Sequence, residues 1–218
     1  MKIAIYADTH GLAGPVINKY KSETGYDVED TNIEPVDLVC LLGDHSETDV
    51  KIIESHYPNT NMIGIYGNHD TLNLYENTRV TNIHKKIYNQ NDYSFIGFQG
   101  SHKYKLSQIY GYTQEESIEE CKYLPKVDIL LSHDGPYGKY YKSINDAHCG
   151  LKGLFNYIKK NNPKIMFFGH HHTNMNFQIE TKAWFSKAHI INCYCIYGCS
   201  VVTIENDTII DIKNYSLD

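Results

Sequence analysis

Met62-Ile63-Gly64-Ile65-Tyr66-Gly67-Asn68-His69-Asp70 is an apolar run that stops in a tight turn built from four residues with different chemical capacities. Gly67 lets the backbone bend sharply where a strand ends. Asn68 offers a neutral carbonyl oxygen, His69 a ligand nitrogen or a proton donor, and Asp70 a carboxylate able to fix a His tautomer. Alone, such a stretch is first of all a turn, because Gly, Asn and Asp are turn residues. The other strand ends decide what it means.

Upstream, Lys2-Ile3-Ala4-Ile5-Tyr6-Ala7 is expected to be a strand that runs into Asp8-Thr9-His10-Gly11. Side chains alternate along a strand, so Asp8 and His10, two apart, are expected to share one target. Pro35-Val36-Asp37-Leu38-Val39-Cys40-Leu41-Leu42 gives a second buried strand, ending in Gly43-Asp44-His45. Downstream, Val127-Asp128-Ile129-Leu130-Leu131 delivers Ser132-His133-Asp134, and Lys164-Ile165-Met166-Phe167-Phe168 delivers Gly169-His170-His171-His172. His170 and His172 are expected on one face, with His171 turned away. Five apolar runs therefore end in metal-competent side chains: Asp8 and His10; Asp44; Asn68, His69 and Asp70; His133; His170 and His172. In α/β sheets ligands gather beyond the carboxyl ends of the strands, so the five ends are expected to converge on one metal site.

Between these strands the sequence predicts a helix near Val16 to Ser22, a polar loop to Ile33, and a helix from Thr48 to Tyr57 closed by Pro58. Ile83 to Asn91 and Tyr93 to Phe98 are expected to pair as antiparallel strands with their turn at Asn89 to Asp92. Gly100 to Tyr112 is a polar, Tyr-bearing loop carrying Lys103 and Lys105, after which Thr113-Gln114-Glu115-Glu116 opens a helix with a capping box. Leu151, Leu154, Phe155 and Ile158 have the spacing of a helix core face. Phe177 to Lys213 reads as short β-runs with a hairpin turn at Asn206-Asp207.

The chain has 218 residues, of which 41% are hydrophobic and 21% charged, the balance of a globular protein with one sizeable core; a single domain over 1–218 is expected. No apolar run is as long as a membrane span, and the N-terminal run is interrupted by Asp8 too soon for a signal peptide, so a cytoplasmic, membrane-free protein is expected. Six Cys in such a chain read as reduced thiols, and Cys193-Tyr194-Cys195 with Cys199 lacks zinc-finger spacing. The net charge of −6 argues against a surface for duplex nucleic acid, but not against nucleotides.

The order of motifs Asp8-x-His10, Gly43-Asp44, Gly67-Asn68-His69-Asp70, Ser132-His133 and Gly169-His170-x-His172 resembles the calcineurin-like metallophosphoesterase superfamily, over nearly the whole chain. The resemblance implies an α/β fold, a four-layer αββα sandwich of two mixed β-sheets flanked by helices. It implies two divalent transition-metal ions, one held by Asp8, His10 and His172, the other by Asn68, His133 and His170, with Asp44 bridging. The turn Ser132-His133-Asp134-Gly135-Pro136-Tyr137-Gly138, the step His148-Cys149-Gly150 and Pro163-Lys164 resemble a subgroup of small phosphodiesterases that favours cyclic nucleotides and artificial diesters. Where that subgroup has consecutive prolines, this chain has Asp134-Gly135-Pro136, so the wall beside the second metal is expected to differ.

Mixed imidazole and oxygen ligands suit Mn, Fe, Zn, Co or Ni, with Mn the first ion to test. A water bridging the ions would have its pKa lowered towards neutrality and could attack phosphorus in line as hydroxide. His69 is expected to serve the leaving group, with Asp70 orienting it. His45, His102, His148 and His171 are expected beside the ligands or at the surface, and Lys103, Tyr104 and Tyr137 at the substrate rim. The leading expectation is a phosphodiesterase for a small phosphate ester, such as a cyclic nucleotide. A phosphomonoesterase, a nuclease and a non-catalytic protein-binding scaffold are the alternatives. Nothing in the sequence fixes the oligomeric state.

Overall fold

Short runs of Ile, Val, Leu and Phe bounded by Gly, Asn and Asp become the strands of this protein, and segments with 3.6-residue spacing become its helices. The computed structural model describes residues 1–25, 35–138, 147–172, 175–180, 187–192 and 198–217. The first half holds β1 (Lys2–Tyr6), α1 (Ala13–Thr24), β2 (Leu38–Leu41), α2 (Glu47–His56), β3 (Met62–Gly64), β4 (Val80–Asn82), β5 (Ile87–Gln90) and β6 (Tyr93–Phe98). There follow β7 (Ser101–His102), β8 (Gly111–Tyr112), α3 (Gln114–Lys122), β9 (Ile129–Ser132), α4 (Lys152–Asn161) and β10 (Ile165–Phe168). The last strands are β11 (Met175–Glu180), β12 (Lys187–Asn192), β13 (Gly198–Glu205) and β14 (Thr208–Ser216).

Two mixed six-stranded sheets result, in the orders β14-β13-β1-β2-β3-β4 and β11-β12-β10-β9-β6-β5. Alternation along the strands sorts the apolar side chains into layers. Ile3 and Ile5 of β1, Leu38 and Cys40 of β2 and Ile63 of β3 meet Phe95 of β6, Ile129 and Leu131 of β9 and Ile165 and Phe167 of β10 between the sheets. Ala4, Tyr6, Val39, Leu41 and Met62 face the opposite way, onto Val16, Ile17 and Tyr20 of α1 and Val50 and Ile53 of α2. On the far side Ile96, Phe98, Leu130, Met166 and Phe168 pack on Leu154, Tyr157 and Ile158 of α4 and Cys121 of α3. The layers are therefore helix, sheet, sheet, helix, as expected.

The helix ends follow local chemistry. Ser46 and Asp49 form a capping box at the start of α2, and Thr113 and Glu116 form the expected one at α3. The hairpin between β13 and β14 turns at Asn206 and Asp207, both at positive φ (45° and 64°), as a two-residue β-turn of that hand requires. Two features were not anticipated: β4 pairs in parallel with β3, and β7 and β8 pair inside the 100–112 segment. The polar loop expected up to Ile33 and the pair Cys193 and Cys195 lie outside the described residues. Among the described residues no helix is long and apolar enough to cross a membrane.

Candidate metal centre

In each sheet the parallel strands point the same way, so the loops after β1, β2, β3, β9 and β10 come out at one edge of the sandwich. Cross-loop hydrogen bonds tie them together: Asp8 N to Gly43 O (3.0 Å), His10 N to Asp44 O (3.3 Å) and Gly169 N to His133 O (3.0 Å). The amide of His170 donates to Asp8 Oδ2 (2.9 Å), and the amide of His69 donates to Asp44 Oδ1 (2.8 Å). The turns after β2 and β3 lie back to back, and a Cβ added at Gly43 or Gly67 would run into the other turn's backbone.

Asp8 and His10 do converge, though not by strand alternation, whereas His170 and His172 fall into two different groups of ligand atoms. β1 ends at Tyr6 and β10 at Phe168. Asp8 (φ 51°), His10 (44°), Asp44 (59°), His170 (66°) and His172 (47°) all lie in the left-handed region. Such residues each cost about 1–3 kcal/mol, and strain of this kind gathers at functional sites.

Two groups of side chains bring their ligand atoms within 4.8 Å of one another: Asp8, His10 and His172, and Asp8, Asp44, His133 and His170. Asp8 is common to both groups, while Asp44, the expected bridge, belongs to the second. Asn68 joins the second, its Oδ1 2.9 Å from His133 Nε2.

The hydrogen bonds within the second group fit a cation. His133 Nδ1 lies 2.8 Å from the carbonyl oxygen of Leu42, which can only accept, so Nδ1 carries the proton. In a neutral ring, Nε2 then aims a lone pair at Asn68 Oδ1 and, at 3.6 Å, at Asp44 Oδ2. Three acceptors face one another, a repulsive arrangement relieved by a proton on the ring or by a metal ion. Accordingly, although burial opposes its charge, Asp44 and Asp8 raise the His133 pKa above its ordinary value. Asp8 Oδ1 is a buried oxygen with no hydrogen-bond partner. His170 donates from Nε2 to Ala147 O (2.8 Å), leaving Nδ1 with the lone pair, and burial lowers its pKa to about 4, so the ring is neutral as a ligand must be.

A further ring of buried groups holds these loops. Asp49 accepts from the amides of Gly11, Ala13 and Ser46 and from the Thr9 hydroxyl, tying the loop after β1 to the start of α2. Sequence analysis missed this residue; the signal was the capping spacing Ser46-x-x-Asp49. Thr9 also bonds His45 Nδ1 (2.7 Å), and burial lowers the His45 pKa to about 4. Asp134 accepts from His171 Nε2 (2.9 Å) and from the amides of His102 and Gly135. Burial opposes the Asp134 charge, yet the His171 hydrogen bond and the neighbouring imidazoles bring its pKa down to about 2. His148 packs 4.8 Å, ring to ring, from His170.

Asp70 departs from expectation. Its carboxylate is turned away from the His69 ring and accepts from the amides of Gly67 (2.6 Å), His45 (2.8 Å) and Asp44 (3.1 Å), clamping the two back-to-back turns together. Burial, then the nearby Asp44 charge, raise its pKa to about 7. The partner of the His69 ring is instead Tyr104, whose hydroxyl lies 3.5 Å from Nε2 and accepts from Asn68 Nδ2 at 3.3 Å. His69 is exposed and stands between two hollows, one of about 420 Å³ over His10, Asp44 and Glu47, the other of about 270 Å³ over Asn68, Tyr104 and Lys105. Tyr104 lines the smaller hollow, and of the two neighbouring lysines Lys105 rather than Lys103 does so. Tyr137 is 41% exposed, with Lys152 over its ring.

Residues 1–174 match the family model described as calcineurin-like phosphoesterase. The uncharacterized protein MJ1162 of Methanocaldococcus jannaschii is 27% identical over 190 residues, which cover 79% of this chain and 80% of that one. The crystal structure of TT1561 of Thermus thermophilus superposes with a TM-score of 0.60 at 14% identity, over 100% of this chain and 99% of that one. A dimetal phosphatase from Danio rerio superposes with a TM-score of 0.54 at 9% identity, again over 100% and 99%. At such identities the two structures speak for a shared fold.

Proposed function

This chain belongs to the calcineurin-like phosphoesterase family, and on that footing we propose that it is a divalent-metal-dependent phosphodiesterase acting on a small diester such as a cyclic nucleotide. The observation that carries this is the cluster of Asp8, Asp44, Asn68, His133 and His170, in which acceptor atoms converge with too few protons between them. Asp8, His10 and His172 would hold one ion, Asn68, His133 and His170 the other, with Asp44 reaching both. Divalent ions there supply Lewis acidity and an activated water at neutral pH. Mn is proposed first among Mn, Fe, Zn, Co and Ni.

The protein's own residues set the charge and the direction of the reaction. Two carboxylates among the seven ligands leave the loaded site net positive, and the neutral Asn68 avoids cancelling more of that charge. His69, outside both ligand groups and open to the hollows, protonates the departing oxygen or bonds to it as its charge grows. Lys105, on the smaller hollow, is the one lysine or arginine among the described residues lining the two hollows, and the larger carries Glu47. Such surroundings favour the single charge of a diester over the dianion of a monoester. We further propose that the chain acts as one domain and works in the cytoplasm, a setting in which the buried thiols of Cys121 and Cys199 stay reduced.

The test is hydrolysis of bis-p-nitrophenyl phosphate against p-nitrophenyl phosphate, with metal analysis of the same manganese-loaded preparation. The diester is expected to be the better substrate. A preparation that carries metal yet hydrolyses no diester would sink the proposal.

A further inference from the structure

We propose that Tyr104 is a further catalytic residue, joining His69 and Asn68 in a cluster of donors that receives the oxygen on which charge develops as the leaving group departs. The step it serves rests on the phosphodiesterase reading above; its place in the cluster rests on geometry. Tyr104 Oη lies 3.3 Å from Asn68 Nδ2 and 3.5 Å from His69 Nε2. All three groups can donate, and the distances between them are at the long end of the hydrogen-bond range. Catalytic hydrogen bonds are often long in the ground state and tighten only around the reacting group. An oxyanion placed among them could accept from the amide, the imidazole and the phenol together.

The loop is built to hold the phenol there. β7 and β8 pair on either side of it, and Gly100, at φ 73°, packs so closely on the Tyr110 carbonyl that a side chain would collide. Gln108 grips the loop from within. Its Oε1 accepts from the Tyr104 amide (3.3 Å), and its Nε2 donates to Ser101 Oγ (2.9 Å) and the His102 carbonyl (3.3 Å). Ile109 and the ring of Tyr104 line the smaller hollow, which gives an uncharged leaving group apolar surface beside the donors. The step balances simply: the P–O bond breaks with its electron pair on the departing oxygen, which takes its proton from His69 while Tyr104 and Asn68 donate hydrogen bonds.

Tyr104→Phe removes only the hydroxyl. In the manganese-loaded enzyme the loss in kcat is expected to grow as the leaving group worsens, from small with methyl p-nitrophenyl phosphate to about tenfold or more with methyl phenyl phosphate, short of the roughly 10²–10³-fold lost with a full oxyanion-hole donor. KM and bound manganese stay near wild type, because the interaction belongs to the transition state. Calorimetry with orthovanadate gives a readout independent of turnover, and its affinity is expected to fall several-fold in the variant. An equal loss of kcat on both esters, or unchanged vanadate affinity, would overturn the assignment and leave the hydroxyl as a prop for its loop. If the wild type hydrolyses neither ester, the phosphodiesterase reading falls, and the vanadate comparison still decides the place of Tyr104.

Discussion

Asp8, Asp44, His133 and His170 are at most 4% exposed, whereas His10 and His172, two residues on from Asp8 and His170, and His69, on the turn after β3, are open to solvent. The buried half is held by backbone: Leu42 and Ala147 carbonyls orient two imidazoles, and amides of His69 and His170 pin two carboxylates. The open half has few such bonds; His69 has a tyrosine at 3.5 Å and two hollows. On the proposed assignment the contrast runs through the metal site itself: the ligands around His133 and His170 are locked by backbone, whereas the ligands His10 and His172 and the proton donor His69 keep room to adjust.

Four changes would break or sharpen that contrast. Asp8→Asn strikes the locked half at the residue shared by both ligand groups; bound manganese and turnover are both expected to fall to background, as metal analysis and an assay of the same sample would show. His69→Ala strikes the open half, and kcat should drop by about 10²–10⁴-fold, the usual contribution of a general acid, with metal content intact. Equal loss of metal and rate would make His69 a ligand, as His10 and His172 are proposed to be. Phe167→Ala, in the layer between the sheets, tests whether the locked half depends on the core beneath it. It should cost about 3–5 kcal/mol in denaturant unfolding while the surviving folded protein still binds manganese.

The smallest effect concerns the opposite edge of the sheets. There Lys164 lies 2.9 Å from Asp128 and 2.8 Å from Asp207. Burial opposes the Asp128 charge, but Ser94 and Lys164 hold its pKa below the ordinary 3.8. A depressed folded pKa means that the stability is fully present above about pH 4 and is lost as pH falls through the lowered value. Asp128→Asn should therefore flatten the acid side of the stability profile and change it by about 1 kcal/mol or less near neutrality, the scale of an exposed pair. A change in the rate of phosphoester hydrolysis with this variant would show that the two edges are coupled.

Much of this was legible in the sequence, for reasons that also mark its limits. The segments around Ile3, Ile5, Ile129 and Phe167 announce strands as short unbroken apolar runs, and the strand ends stand out because His and Asp are unusual neighbours for such runs. The chain order of the polar turns therefore carried the candidate ligands. The route by which they converge was not legible, since the left-handed φ of Asp8 or His170 is set by cross-loop contacts with residues far along the chain. The role of Asp70 was misread for the same reason: its partners at Asp44 and His45 come from another turn, and nothing local predicts them. β4, β7 and β8 have two or three residues each, too few to show a period.

The back-to-back packing of Gly43 against Gly67 has a consequence for anyone who wishes to change what this protein acts on. Two backbones in direct contact leave no side chain to shorten and no slack to redistribute, so the turns carrying Asp44 and Asn68 shift as a single body or not at all. Randomising them would mostly yield unfolded or metal-free clones. The 103–109 segment reaches the same chemistry from the other side and carries Leu106, 98% exposed, and Ile109, 57% exposed. A library confined to that segment, with Tyr104 and Gln108 retained, would vary the walls around the substrate while the metal cradle stays as it is.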